Sequence, residues 1–162
     1  MTPHRVTAPL ALTLPLALTS ALALTSCGGW DEEAAPPEDF RASYQKLHEC
    51  RASAHPAANF VITWLSPEGS EAWDQIKAGM GAGVTFPEGA IAVKAQYDDS
   101  ACDTLSGYTV MEKLPDGADS ANGDWRWQFL DETGSCNDCA LGASCSGCHT
   151  QPACVGYFCT QP

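Results

Sequence analysis

Ala90-Ile91-Ala92-Val93-Lys94-Ala95-Gln96-Tyr97 alternates Ile91, Val93, Ala95 and Tyr97 with Ala92, Lys94 and Gln96. Successive side chains of a strand point to opposite faces, so this period of two predicts a strand with one apolar and one more polar side. Downstream, residues 107–114 read the same way. Residues 124–131 place Trp125, Trp127 and Phe129 on one face and Arg126, Gln128 and Leu130 on the other. Upstream, Asn59 to Leu65 is a run of β-formers and predicts another strand. Phe40, Tyr44 and Leu47 recur at helical spacing and predict a helix over 39–51, with Glu38 and Asp39 near its positive end. Ser66-Pro67 reads as the cap and first turn of a second helix running to about Ala78. Residues 79–83 and 115–123 are Gly-rich or turn-rich breaks. The expectation is an α+β fold: a mainly antiparallel sheet with one covered face, two helices in the N-terminal half, and a helical turn near the C-terminus.

That last turn carries the chemistry. Cys145-Ser146-Gly147-Cys148-His149 is a C-x-x-C-H run, the attachment signature for covalent haem. Thiols three residues apart lie on one side of a helical turn, where each can add to one haem vinyl group. The following histidine then supplies the proximal nitrogen ligand. Cys145 and Cys148 are therefore the expected thioether anchors and His149 the iron ligand of one haem c per chain. Cys136 and Cys139 form a second C-x-x-C pair, but Ala140 follows it. Zinc held by the four thiolates of both pairs is the competing reading. The interval from Cys139 to Cys145 is shorter than zinc ribbons use.

The first 26 residues carry one charge, Arg5, and then a Leu- and Ala-rich stretch, which predicts a targeting segment. It is too short and too broken by Thr and Pro to read as a permanent span. It ends in Leu24-Thr25-Ser26-Cys27-Gly28, which resembles a bacterial lipobox and implies lipidation of Cys27. Residues 27–38 then form an acidic, Pro-containing tether, leaving 39–162 as one domain. The expected location is the periplasmic side of the cell envelope, lipid-anchored, with the outer membrane favoured because Gly28 rather than aspartate follows. Trp30 reads as a linker residue or a contact with the membrane interface.

Nine cysteines, less Cys27 and the two haem thiols, leave Cys50, Cys102, Cys136, Cys139, Cys154 and Cys159. An even remainder in an oxidising compartment predicts three disulfides, some bracing the tail, with Cys50 and Cys102 as one candidate tie between the halves. Sequence leaves the connectivity open. The chain carries a net charge of −12, and removing residues 1–26 takes away a cation and no acid. No Lys/Arg cluster is present, so nucleic acid is excluded as a partner.

Four segments in order resemble the cytochrome P-460 family: Phe86-Pro87-Glu88-Gly89 leading to Val93-Lys94, Tyr108-Thr109-Val110-Met111, Gly123-Asp124-Trp125-Arg126-Trp127, and Cys145 to His149. The resemblance spans roughly residues 40–160. It implies a mainly antiparallel β domain with packed helices, a homodimer, and one five-coordinate haem c acting on hydroxylamine. A sister group, cytochrome c-prime-beta, binds nitric oxide instead. The resemblance also implies that Lys94 occupies the position of a lysine cross-linked to a haem meso carbon. A strand lysine otherwise snorkels into water. Thr109 stands near the position where oxidase members place a proton-accepting carboxylate, and Glu112 falls on the opposite strand face. The cysteines after Gly134 also depart from the oxidase pattern. Three haem functions follow as expectations: oxidation of a small nitrogen species, nitric oxide binding without turnover, and electron transfer to a redox partner the sequence does not name. The last needs a sixth ligand, for which His48, His55, Met80 and Met111 are candidates. Arg126 is a candidate partner for a haem propionate, and Trp125 and Trp127 read as core or dimer-interface residues. Without haem, the chain would be a disulfide-rich lipoprotein.

Overall fold

Two short strands, β1 (Gln45–Lys46) and β2 (Arg51–Ala52), pair with successive parts of β3 (Phe60–Leu65) and bring the chain into the sheet. The sheet continues antiparallel through β4 (Ile91–Tyr97), β5 (Leu105–Lys113), β6 (Trp125–Leu130) and β7 (Cys136–Asp138), in the order β1-β3-β4-β5-β6-β7 with β2 also on β3. The computed structural model describes residues 36–54, 58–81, 83–139 and 141–160, all within the unit Glu32–Pro162. The targeting segment, Cys27, Trp30, His55 and most of the tether lie outside the described residues. The α+β class expected from the alternating runs is what the chain adopts.

The register sorts side chains into two sets. Thr63, Lys94, Thr109 and Phe129 align across four strands, and so do Leu65, Ala92, Met111 and Trp127. Because alternate residues face opposite ways, these rows share one face. Trp73, Phe86, Trp125 and Phe158 pack with the second row into one core cluster. On the opposite face Trp64, Val93, Ala95, Tyr108, Val110 and Leu130 form a second cluster capped by Phe40. The Arg41 guanidinium lies 4.9–5.6 Å from the ring centres of Phe40, Trp64 and Tyr108 and donates to the Tyr108 hydroxyl at 3.1 Å.

Both faces are therefore covered, where the alternation had implied one. The polar members of β4 explain the difference. Gln96 is 1 % exposed and Lys94 partly buried, yet each reads as a solvent-facing residue in the strand pattern.

The expected helix over 39–51 shrinks to one turn, α1 (Phe40–Ser43). Phe40 and Tyr44 pack on one side of the sheet, whereas Leu47 packs on the other. The chain must cross the sheet edge between them. There Leu47 donates its backbone N–H to Thr63 at 2.9 Å, so strand pairing overrides the helical spacing. The second helix forms as a 3-10 turn, Pro67–Gly69, leading into α2 (Ser70–Lys77), with Trp73 buried and Ile76 against the core. Ser66 does not cap it. Its hydroxyl accepts the N–H of Ile91 at 3.0 Å and ties the helix start to β4. The tail contains a two-turn helix, α3 (Gly142–His149).

The six cysteines pair as Cys50–Cys102, Cys136–Cys139 and Cys154–Cys159. Cys50–Cys102 closes a separation of 52 residues. Replacing both partners by Ser should lower stability by about 4 kcal/mol on the chain-entropy account, read as a lower urea midpoint with an intact native β-sheet signal. Trp73→Ala, which empties a large, almost fully buried site under the sheet, should cost about 3–5 kcal/mol in the same assay.

Candidate functional site

α3 is short and its start is packed closely. A Cβ on Gly142 would sit 2.9 Å from the Asn122 side chain, so glycine lets the helix approach the 3-10 turn Ser120–Asn122. Cys145 and Cys148 are three residues apart on this helix, a spacing that places side chains on one side. They are the free cysteines among the described residues. Cys145 packs against the core cluster, and burial pushes its thiol pKa up, with Cys148 and Asp138 adding to the effect. It is a thiol rather than a thiolate at neutral pH. The four-thiolate zinc reading does not match this arrangement, in which Cys136 and Cys139 are bonded to each other. Among the described residues no group of three or more His, Cys, Asp or Glu side chains could hold a metal ion.

His149 ends α3 and is turned toward the sheet. Its ring lies 5.9 Å from that of Trp127, edge to face. Its Nδ1 is 2.6 Å from the Tyr157 carbonyl oxygen, which can only accept, so Nδ1 carries the proton and Nε2 keeps its lone pair. Burial lowers the pKa of the ring; the Tyr157 carbonyl opposes this, and the Lys94 charge adds to it. The neutral, Nε2-basic imidazole is the form that ligates a metal, and an Nδ1–H held by a carbonyl is the usual device for orienting it.

Two spaces open beside this histidine. The inner one encloses about 30 Å³ and is bounded by Lys94, Thr109, Met111, Trp127, Cys145 and His149. That volume accommodates a water-sized molecule. The Trp127 indole N–H is buried and has no partner. The outer space is a groove of about 670 Å³ bounded by His48, Arg51, Lys94, Cys148, His149 and Cys154, among others. Its size falls within the ~300–1,000 Å³ of small-molecule and cofactor sites. A chain with only 8 Lys and Arg residues puts two of them along this groove. Burial pushes the Lys94 ammonium pKa down, and Arg51 pushes it further, so its neutral amine is favoured relative to an exposed lysine.

Of the residues singled out from sequence, Cys145, Cys148, His149, Lys94, Thr109 and Met111 come together here. Arg126 does not. It sits on the opposite sheet face, bonded to Glu112 through its Nε at 3.0 Å and through Nη2. It is thus no partner for a group at His149. Glu112 lies on that same far face, as its strand parity indicated. Met80 is 55 % exposed and does not border either space. His48 borders the groove, but Nδ1 is 2.7 Å from the Glu49 carbonyl and Nε2 3.0 Å from Thr63 Oγ1, so both ring nitrogens are engaged. Met111 alone of the described sixth-ligand candidates reaches the inner space. Trp125 and Trp127 are core residues, as expected, and Trp127 is in addition a wall of the site.

Sequence reasoning missed Arg51 and Tyr157. Arg51 reads as the last residue of a helix that does not form. Tyr157 contributes a backbone carbonyl, which no side-chain pattern reveals. The available signal was Gly156 between two cysteines five apart, the mark of a tight turn.

The chain matches no protein-family model, and no curated protein matches it. No helix among the described residues is long and apolar enough to cross a membrane.

The two histidines at the site have folded-state pKa values below 6.5, chiefly from burial. A histidine kept neutral by folding binds fewer protons than in the unfolded chain, so its contribution is complete above pH 6.5 and is lost below it. The chain in this form should therefore show a falling urea midpoint between pH 7.5 and pH 5.5. His48→Asn should flatten part of that slope. Asp99, Asp124 and Asp131 have lowered pKa values, through backbone N–H bonds and, for Asp131, first the Thr133 hydroxyl; they titrate from 3.8 downward, outside this window.

Proposed function

We propose that the chain is a mono-haem c protein of the cytochrome P-460 type, with an open iron site for small nitrogen species such as hydroxylamine or nitric oxide. The observation that carries this reading is the state of the C-x-x-C-H run. Cys145 and Cys148 stay unpaired while the six other described cysteines are bonded, and His149 presents a neutral ring whose Nδ1–H is already spent. The residues present fit the group. Cys145 and Cys148 would hold it through thioethers, His149 would ligate iron through Nε2, and the groove carries Arg51 and Lys94 near a cofactor with two carboxylates. The orphaned Trp127 N–H is a donor awaiting an acceptor. When bound, haem supplies a ligand-binding iron and one-electron chemistry.

The surrounding residues decide what happens there. The small inner space suits a molecule of two or three atoms. Lys94 borders both spaces with a pKa lowered by burial, so it is the residue that would stand beside the group at the position of the cross-linking lysine of the oxidase members. A second reading, capture of nitric oxide without turnover, is favoured by the lining. No Asp or Glu borders either space among the described residues, and Thr109 cannot take a proton from substrate at neutral pH. Electron transfer through a six-coordinate iron would rest on Met111 alone among the described candidates, because His48 is engaged and Met80 is remote. Lipidation at Cys27, a periplasmic site facing from the outer membrane, and a homodimer remain part of the proposal on the residues that suggested them.

Co-expression with a haem c assembly system should give covalent haem that survives acid-acetone extraction. Cys145→Ser/Cys148→Ser should lose it. A parent chain that takes up no covalent haem sinks the reading. A ferrous Soret band moved far to the red, and restored to an ordinary position by Lys94→Leu, is the expected mark of the cross-link. An ordinary high-spin ferrous spectrum in the parent selects nitric oxide binding over oxidation.

A further inference from the structure

His149 owes its orientation to a turn that is built with unusual care. Val155 and Phe158 exchange backbone hydrogen bonds of 2.9 and 2.8 Å, forming a two-residue hairpin. Its central residues are Gly156 and Tyr157, with φ of 53° and 69°. Positive φ at both central positions is the signature of a type I′ turn. Glycine adopts it freely, but a tyrosine there is strained by about 1–2 kcal/mol. Strain of this kind persists where the surroundings over-determine the conformation.

Three restraints do so here. Cys154–Cys159 closes the hairpin across its base. Trp125 Nε1, on the rigid β6, donates to the Gly156 carbonyl at 3.0 Å. The Tyr157 ring packs so closely over Gly123 that no Cβ fits there, and lies 6.1 Å from the Trp127 ring. The product of these restraints is a single carbonyl, that of Tyr157, held 2.6 Å from His149 Nδ1.

We propose that the disulfide-closed hairpin from Cys154 to Cys159 is a positioning clamp for His149. It fixes the Nδ1–H tautomer and strengthens donation from Nε2, and so tunes whatever metal that nitrogen holds. The inference rests on the haem reading for its consequence at iron, but the clamp itself is a property of the chain. Residues that hold the far nitrogen of a ligating histidine raise its basicity and fix its ring. Loosening the clamp should therefore weaken the iron–histidine bond and raise the reduction potential.

The test compares Cys154→Ser/Cys159→Ser with Cys50→Ser/Cys102→Ser, which removes a bridge that does not border the histidine. In the haem-loaded protein, resonance Raman should show a lower iron–histidine stretch for the first variant, and redox titration a higher midpoint. The second variant should lose stability and keep both parent values. Trp125→Phe, which deletes the donor to Gly156 and trims a core ring while leaving the disulfide, should move both readouts the same way by less. Parent values in Cys154→Ser/Cys159→Ser overturn the proposal, as do equal shifts in both disulfide variants. Should the first variant not take up haem, ¹⁵N NMR of the haem-free chains decides. The His149 ring should be a single Nδ1–H tautomer in the parent and a mixture in the variant, or in Trp125→Phe if the disulfide variant does not fold. An unchanged tautomer overturns the clamp. A parent that never binds haem removes the haem reading, and the NMR comparison still judges the clamp.

Discussion

The register of β4 between β3 and β5 is the constraint on which the rest depends. Thr63, Lys94 and Thr109 stand side by side because Thr63 pairs with Lys94 and Lys94 with Thr109. A slip of one residue would carry Lys94 to the aromatic face beneath Phe40 and present Val93 to His149. Two long ladders and a core on each face hold that register. A slip would exchange the two sets, putting Lys94 and Gln96 among the aromatic rings around Phe40 and misfitting both cores.

On that platform the tail is fastened at a few points. α3 approaches the turn before β6 closely enough to require Gly142. The hairpin after it is tied to Trp125, and His149 is tied to the hairpin. The histidine is thus oriented through backbone and indole groups, none of which titrates near neutral pH. Basic residues are scarce in this acidic chain, and Arg51 and Lys94 both border the groove. Phe40 and Arg41 close the opposite face, which leaves the sheet with two different sides from one alternating pattern.

The strands of the sheet's centre were legible because period-two alternation needs only local order. β3, β4, β5 and β6 fall where their sequences indicate, within two residues at either end. The segment over 39–51 misled for the opposite reason. Phe40, Tyr44 and Leu47 have helical spacing, but they serve two different faces, and spacing does not record which face a residue reaches. Arg126 misled likewise: its charge suggested a partner at the site, while strand parity sent it to Glu112. At the site, Cys145, Cys148 and His149 were readable as a local motif. Their neighbours Arg51 and Tyr157 were not, because both are brought there by pairing and turn geometry from other parts of the chain.

By itself the sequence determined the α+β class and a thiol–thiol–imidazole run with the spacing of one helical turn. These depend on residue type and on spacings of a few residues, which the chain carries wherever it folds. Only the tertiary structure decided which cysteines join, which nitrogen of His149 keeps its lone pair, and that Lys94 turns inward beside it. Each of these depends on groups far apart in sequence meeting at distances of a few ångströms: Cys50 with Cys102, His149 with Tyr157, Lys94 with the helix that follows β7. Such meetings are set by register and by the covering of both faces.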